Sequence, residues 1–303
     1  MPTSLSLEEG FVPFRGYKIW YKILGNEGTG TKLPLLCLHG GPGATHDYLE
    51  PIETLAKTGR QVVFYDQLGN GNSDHPHDPS MWTIDLFLEE LETICRTLKL
   101  ARFHLLGQSW GGMLAMEFAL SKSSQKPVSL ILANSLSNTA QWIKEADRLR
   151  SELPVNIRQS LDKQESSENT GDVSYQQAMM FFYRRHLCRT ALWPDCLLRT
   201  FRKMAENPEV YNAMWGSSEF HVTGKLKNWD IRERLHEIQL PTLIVSGRYD
   251  EATPDIGKVL HNGIPDSRWV IFKHSSHMPH IEETEKFLKL LENFLKLTES
   301  VMT

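Results

Sequence analysis

Apolar and polar positions along this chain follow two alternating rhythms. Short apolar runs closed by turn residues recur at 17–24 (YKIWYKIL), 33–40 (LPLLCLHG), 61–67 (QVVFYDQ), 103–109 (FHLLGQS), 128–135 (VSLILANS), 241–247 (PTLIVSG) and 267–273 (SRWVIFK). Their length and boundaries predict strands. Between most of them lie segments of helical period. Over 83–99, Ile84, Leu88, Leu91, Ile94 and Leu98 recur at threes and fours, and a second helix is expected over 111–121. Such alternation predicts an α/β fold, a mostly parallel sheet with helices on both faces.

The rhythm stops near residue 137 and resumes near 240. The intervening sequence is charged and helix-prone. It contains a polar patch at 162–172 (DKQESSENTGD) expected to be a loop, and two apolar-aromatic stretches, AMMFFYRRHLC (178–188) and ALWPDCLLRTFRKM (191–204). The expected organisation is therefore a core in two parts, 1–136 and 237–303, with a helical cap inserted at 137–236 and lying over the sheet.

Composition narrows the function classes. The 303 residues carry 37 acidic and 33 basic side chains, a formal charge of −4, with no basic stripe that would suit nucleic acid. The apolar runs are far shorter than the roughly 20 residues of a membrane span. MPTSLSLEEG, at the N-terminus, lacks the basic-then-apolar pattern of a secretion signal. Cys37, Cys95, Cys188 and Cys196 form no C-x-x-C pair, and no N-x-S/T sequon occurs. A cytoplasmic protein without disulfides, structural zinc or membrane attachment is expected.

The chemistry is concentrated where predicted strands end. In GQSWG, Ser109 follows a strand and precedes a helix, with glycines two residues to either side. A tight turn of that kind lifts the hydroxyl clear of the sheet. A serine becomes a nucleophile only with a base, and the base needs an acid to orient it. Asp250, three residues past the strand at 241–247, is the expected acid, with Asp230 and Asp255 as rivals. Three histidines, His274, His277 and His280, follow the last strand. His277 is the expected base, since His274 is almost on the strand and His280 is placed in the final helix. The attacked carbonyl develops negative charge that needs N–H donors. HGGPG (39–43) follows a strand and is rich in glycine, so the amides of Gly41 and Trp110 are the expected pair. No metal cluster, dinucleotide motif or phosphate loop is legible, so no cofactor is expected.

HGGPG, YDQLGNGNSD, GQSWGG, GRYDEATP and SSHMPHIEE occur in an order and spacing that resemble the proline iminopeptidase family of α/β-hydrolases, which includes the tricorn-interacting aminopeptidase and L-amino acid amidases. The resemblance covers nearly the whole chain. It implies release of an N-terminal residue, proline or a small apolar one, from a peptide or aminoacyl amide through an acyl-enzyme on Ser109, Asp250 and His277. It also implies that two glutamates bind the substrate's α-amino group. They match Glu251, beside the acid, and Glu219, in WGSSEF. Two rival readings remain at the level of sequence: an amino-acid amidase or esterase of specialised metabolism, and a carboxylesterase or lactone hydrolase on neutral acyl substrates, which would have no use for the glutamates. Oligomeric state is not legible.

Overall fold

The computed structural model describes residues 5–25, 32–167, 169 and 171–301. The first half of the chain runs β1 (Leu7–Phe14), β2 (Tyr17–Leu24), β3 (Leu35–Leu38), a 3-10 helix (His46–Thr58), β4 (Val62–Tyr65), α1 (Ile84–Thr97), β5 (His104–Gln108), α2 (Trp110–Leu120) and β6 (Ser129–Ala133). Next come α3 (Thr139–Ser151), α4 (Val155–Ser166), α5 (Val173–His186), α6 (Asp195–Glu206), α7 (Glu209–Met214) and a small hairpin of β7 (Gly216–Ser218) and β8 (His221–Val222). The chain then returns through a second 3-10 helix (Arg232–Glu237) to β9 (Thr242–Gly247), α8 (Pro254–Gly263), β10 (Ser267–Phe272), α9 (Pro279–Glu282) and α10 (Thr284–Ser300). Every predicted strand forms to within two residues at each end.

The large sheet has the order β1-β2-β4-β3-β5-β6-β9-β10, and β2 alone runs against the other seven strands. β3 has β4 on one side and β5 on the other, so the chain turns in opposite directions beside it. Such a switch leaves a crevice at the carboxyl ends of the strands, where ligands of open α/β sheets bind. The central strands are buried on both faces, and their side chains divide by parity. Leu36 and Leu38 join one apolar layer with α1, α2 and α8, while Leu35 and Cys37 join the other with the 3-10 helix 46–58 and α10. Helix α2 is apolar except for Glu117 because it is buried nearly all round.

Two elements differ from the sequence expectation. β1 is absent from the predicted set: its LEEGFVPF sequence is charged, contains Gly and Pro, and is mostly exposed. It pairs only with β2 at the sheet edge, where one-sided burial weakens the apolar pattern. The polar patch 162–172 is not wholly a loop, since α4 continues to Ser166 and ends in a helical turn with Asp162 bonded to Arg150. Residues 168 and 170 lie outside the described residues.

Helices α3–α7 contribute to both apolar layers, through Trp142, Tyr175 and Phe182 in one and Leu187 and Leu197 in the other. Polar contacts add to the attachment. Arg199 of α6 pairs with Asp47, Glu50 and Asp195, and Lys203 with Asp47 at 2.9 Å. Burial would raise the Asp47 carboxyl, but bonds from Thr45, Lys203 and Arg199 outweigh it and hold it well below the usual carboxylate range. His46, Asp47 and Glu50 converge within 4.8 Å, a spacing that could hold a cation, yet two basic side chains already neutralise these carboxylates.

Close approach of α2 to the sheet explains two glycines. A Cβ on Gly107 would lie 2.1 Å from the carbonyl oxygen of Gly111, and one on Gly111 would lie 2.3 Å from that of Leu38. These are backbone obstacles that no rotamer relieves. Gly111→Ala is expected to destabilise the protein by about 1–3 kcal/mol or more, read as a lowered urea midpoint. An unchanged midpoint would mean that α2 moves away freely.

Candidate active site

Five loops meet at the carboxyl edge of the sheet, and each carries a residue singled out above. Ser109 occupies the single-residue junction between β5 and α2, with φ 55° and ψ −121°. This is a left-handed conformation that costs on the order of 1–3 kcal/mol. The turn is held by the Ser109 amide donating to Ala133 O (2.9 Å) and by the Ser135 hydroxyl donating to Ser109 O (2.9 Å). Trp110 begins α2, so its N–H is among those a helix cannot satisfy internally.

His277 lies between β10 and α9, and its Nδ1–H donates to Asp250 Oδ1 at 2.6 Å. Both side chains are almost fully buried. A carboxylate only accepts, so this bond leaves Nε2 as the nitrogen free to take a proton. Asp250 also accepts from the Ala252 amide (2.8 Å) and from the Asn134 side chain. The rival histidines are placed elsewhere. His274 is exposed. His280 is buried, donates from Nε2 to Tyr48 O (3.1 Å), and is pushed down to about 3 by that burial. It sits in the short helix α9, not in the final helix as expected from the sequence. Asp230 pairs with Arg232, and Asp255 is exposed in the first turn of α8.

The glycine loop after β3 is anchored by His39. Its Nε2 accepts from the Gln67 amide (3.0 Å), which leaves the ring proton on Nδ1 for Gly40 O (3.0 Å). Gly41 follows with φ 107°, a backbone angle that favours glycine. Gln67 also joins the two loops, receiving the Trp110 indole N–H (2.9 Å) and donating to His39 O (3.2 Å).

Ser109, Gly41, His277, Glu219 and Glu251 line one cavity of about 280 Å³. Glu219 lies in the turn between β7 and β8. Its backbone carbonyl accepts from the Trp142 indole (3.2 Å), and its carboxylate accepts from the Tyr211 hydroxyl (2.7 Å). Glu251 is 1% exposed, and its amide donates to His186 O at the end of α5 (3.2 Å). Glu251 Oε1 is 3.9 Å from His277 Nε2, and its Oε2 is buried without a partner. Burial raises both carboxyls, and the charges of Glu219 and Asp250 push Glu251 further, well above the carboxylate range. The remaining walls are largely apolar: Met179, Met180 and Tyr183 of α5, Leu197, Phe201 and Met204 of α6. Among the described residues lining the cavity there is no Lys or Arg. Two buried carboxyls whose ionised forms repel each other, with no basic side chain lining the cavity beside them, are suited to a cation.

Sequence reasoning missed the residues that hold the candidates in place. Asn134, at φ 53°, links Asp250 to Ser276 O (3.2 Å) across three loops. Glu282 accepts from the Ser276 and Met278 amides (2.8 and 3.2 Å), and Glu283 from the His274 amide (3.0 Å), so the two glutamates of HIEE clasp the histidine loop. The signal was weak in each case, because a strand-ending Asn and a helix-starting Glu are ordinary in any α/β chain.

With this geometry in hand, known proteins place the chain in a class. The alpha/beta hydrolase fold family matches residues 34–284. The proline iminopeptidase of Clostridium botulinum is 39% identical over 291 residues, covering 96% of this chain and 99% of that one. Among solved structures, VinJ superposes with a TM-score of 0.93 at 40% identity, covering 98% of this chain and 100% of that one. The proline iminopeptidase of Mycobacterium smegmatis superposes with a TM-score of 0.90 at 38% identity, with the same coverage. Fold and site thus define an α/β-hydrolase, an enzyme of the hydrolase class. Within it, the chain belongs to the proline iminopeptidase family.

Proposed function

We propose that this enzyme is an aminopeptidase that releases an N-terminal proline or small apolar residue from peptides or aminoacyl amides through an acyl-enzyme. Ser109 Oγ attacks the scissile carbonyl as His277 Nε2 takes its proton, with Asp250 holding the imidazole and stabilising the imidazolium. The amides of Gly41 and Trp110 receive the oxyanion. His277 returns the proton to the leaving amine, and water repeats the sequence to free the amino acid. Helices α3–α7 and the β7–β8 hairpin act as the cap that walls this chamber from water. The names of the relatives support proline as the released residue.

The observation that carries the reading is the pair Glu219 and Glu251, lining the same cavity as Ser109. An α-ammonium docked there relieves their mutual repulsion and satisfies the unpartnered Glu251 Oε2. A neutral acyl group does neither. An ammonium held at a closed end also fixes cleavage at one bond from the terminus, which is exopeptidase behaviour.

Glu219→Gln and Glu251→Gln keep side-chain shape but remove the charge. Losing one partner of a buried charge pair costs about 2–5 kcal/mol, so kcat/KM for prolyl-naphthylamide should fall roughly 30- to several-thousand-fold. A neutral acetate ester should be spared, and N-acetyl-prolyl-naphthylamide should resist the wild type. Equal losses on the amide and the ester would indicate structural damage. Efficient cleavage of the N-acetyl substrate would replace the aminopeptidase with an esterase.

A further inference from the structure

Three catalytic loops are joined by one hydrogen-bond chain whose direction is fixed throughout. The Gly40 amide donates to the Tyr48 hydroxyl oxygen at 2.7 Å. An amide N–H can only donate, so the phenol must spend its own proton elsewhere, and it donates to Gln108 Oε1 at 2.6 Å. That sets the Gln108 amide the right way round for its Nε2 to donate to the backbone carbonyl of His277 at 3.1 Å. Tyr48 is 1% and Gln108 2% exposed.

What the chain connects is specific. Gly40 immediately precedes Gly41 in the glycine loop, Gln108 immediately precedes Ser109, and His277 is the residue bonded to Asp250. Contact is tight as well as polar: a Cβ on Gly40 would lie 2.8 Å from Gln108 Oε1 and 3.1 Å from Ser109 Cβ. Tyr48 and Gln108 also line the cavity, but the phenol oxygen and both polar atoms of the Gln108 amide each hold a bond of the relay. Burial raises the Tyr48 phenol far above any working pH, so it does not exchange protons with a substrate. The relay also touches α6, where the Tyr48 amide donates to Thr200 Oγ1 at 3.2 Å, beside the cavity-lining Leu197 and Phe201.

We infer that Tyr48 and Gln108 are positioning residues which set the spacing of oxyanion donor, nucleophile and base as one unit. The inference rests on the acyl-transfer reading of Ser109. Misplacement of reacting groups by about 1 Å costs on the order of 100-fold in rate, and hydrogen-bond donors count only where the oxyanion forms. The relay should therefore govern transition-state binding and leave ground-state binding alone.

The test uses Tyr48→Phe, Gln108→Met and the double variant, each checked for cooperative thermal unfolding, with Ser109→Ala as reference. Substrate is prolyl-naphthylamide, or whichever amide or ester the wild type turns over. Two inhibitors separate the states: prolyl boronic acid, which becomes tetrahedral on the serine, and prolinol, which does not. Each single variant should lose roughly 10- to 100-fold in kcat with KM within about twofold. The boronic acid should weaken in proportion to kcat while prolinol binds as before. Because the relay acts as one unit, the double variant should lose little more than the worse single variant.

Unchanged kcat in a folded single variant overturns the inference. So do equal losses for both inhibitors, which would mark general damage, and multiplicative losses in the double variant, which would make the two residues independent. If one single variant does not fold, the kcat and inhibitor comparison on the other decides. A fully active Ser109→Ala would instead strike down the acyl-transfer reading itself.

Discussion

Ser109→Ala is expected to give a folded protein whose turnover is lower by on the order of 10⁶, since the members of a nucleophile and base pair fail together. Folding should survive because the strained turn is held through the Ser109 backbone, its amide donating to Ala133 O and its carbonyl accepting from the Ser135 hydroxyl, and alanine keeps both. Circular dichroism should match the wild type. Retention of more than about a thousandth of the wild-type rate on an uncontaminated sample would mean that another group attacks. On the proposed mechanism, any residual rate comes from the amides of Gly41 and Trp110 and from the glutamate pair, which would still bind and polarise a substrate.

The second large effect falls on one histidine out of three. His277→Ala should be about as damaging as loss of the serine, because no other imidazole in the loop reaches Asp250. His274→Ala should be nearly silent, since that side chain is exposed. His280→Ala is an intermediate case. Its ring packs against Tyr48 and Phe287 and donates to Tyr48 O, so its loss should lower the melting temperature and reduce kcat by less than about tenfold. Side-by-side kcat values and unfolding curves check all three. A dead His280→Ala with an active His277→Ala would move the base by one helical turn and sever it from Asp250.

Rhythm alone was enough for seven of the eight strands of the large sheet. β3, β4, β5, β6 and β9 are buried on both faces, so a strand in the middle of a parallel sheet must be an unbroken apolar run, and such runs stand out in any listing of residues. The position of Ser109 was legible for a related reason: a strand, a turn that demands glycine and a helix must follow one another within a few residues, and all three are local. β1 was not legible, because an edge strand buries one side only and tolerates Glu8, Glu9 and Gly10. The extent of α4 through the polar stretch was hidden too, since an exposed helix can be built from residues that also suit loops.

Choices among equivalents belonged to the tertiary structure. Sequence offered three histidines and three aspartates, and position relative to the strands favoured His277 and Asp250, but only the fold brings that pair together at 2.6 Å. Glu219 and Glu251 are 32 positions apart, and only the tertiary fold puts the β7–β8 turn and the loop after β9 against one cavity. The same holds for Asn134, Gln67, Tyr48 and Gln108, whose partners lie on other loops. Short-range patterns record what the backbone needs from its neighbours, so sequence determined most of the elements, the place of Ser109 and the order of the candidate residues. Which side chains share a low-dielectric space depends on how distant loops converge at the strand ends, and that convergence is decided by packing.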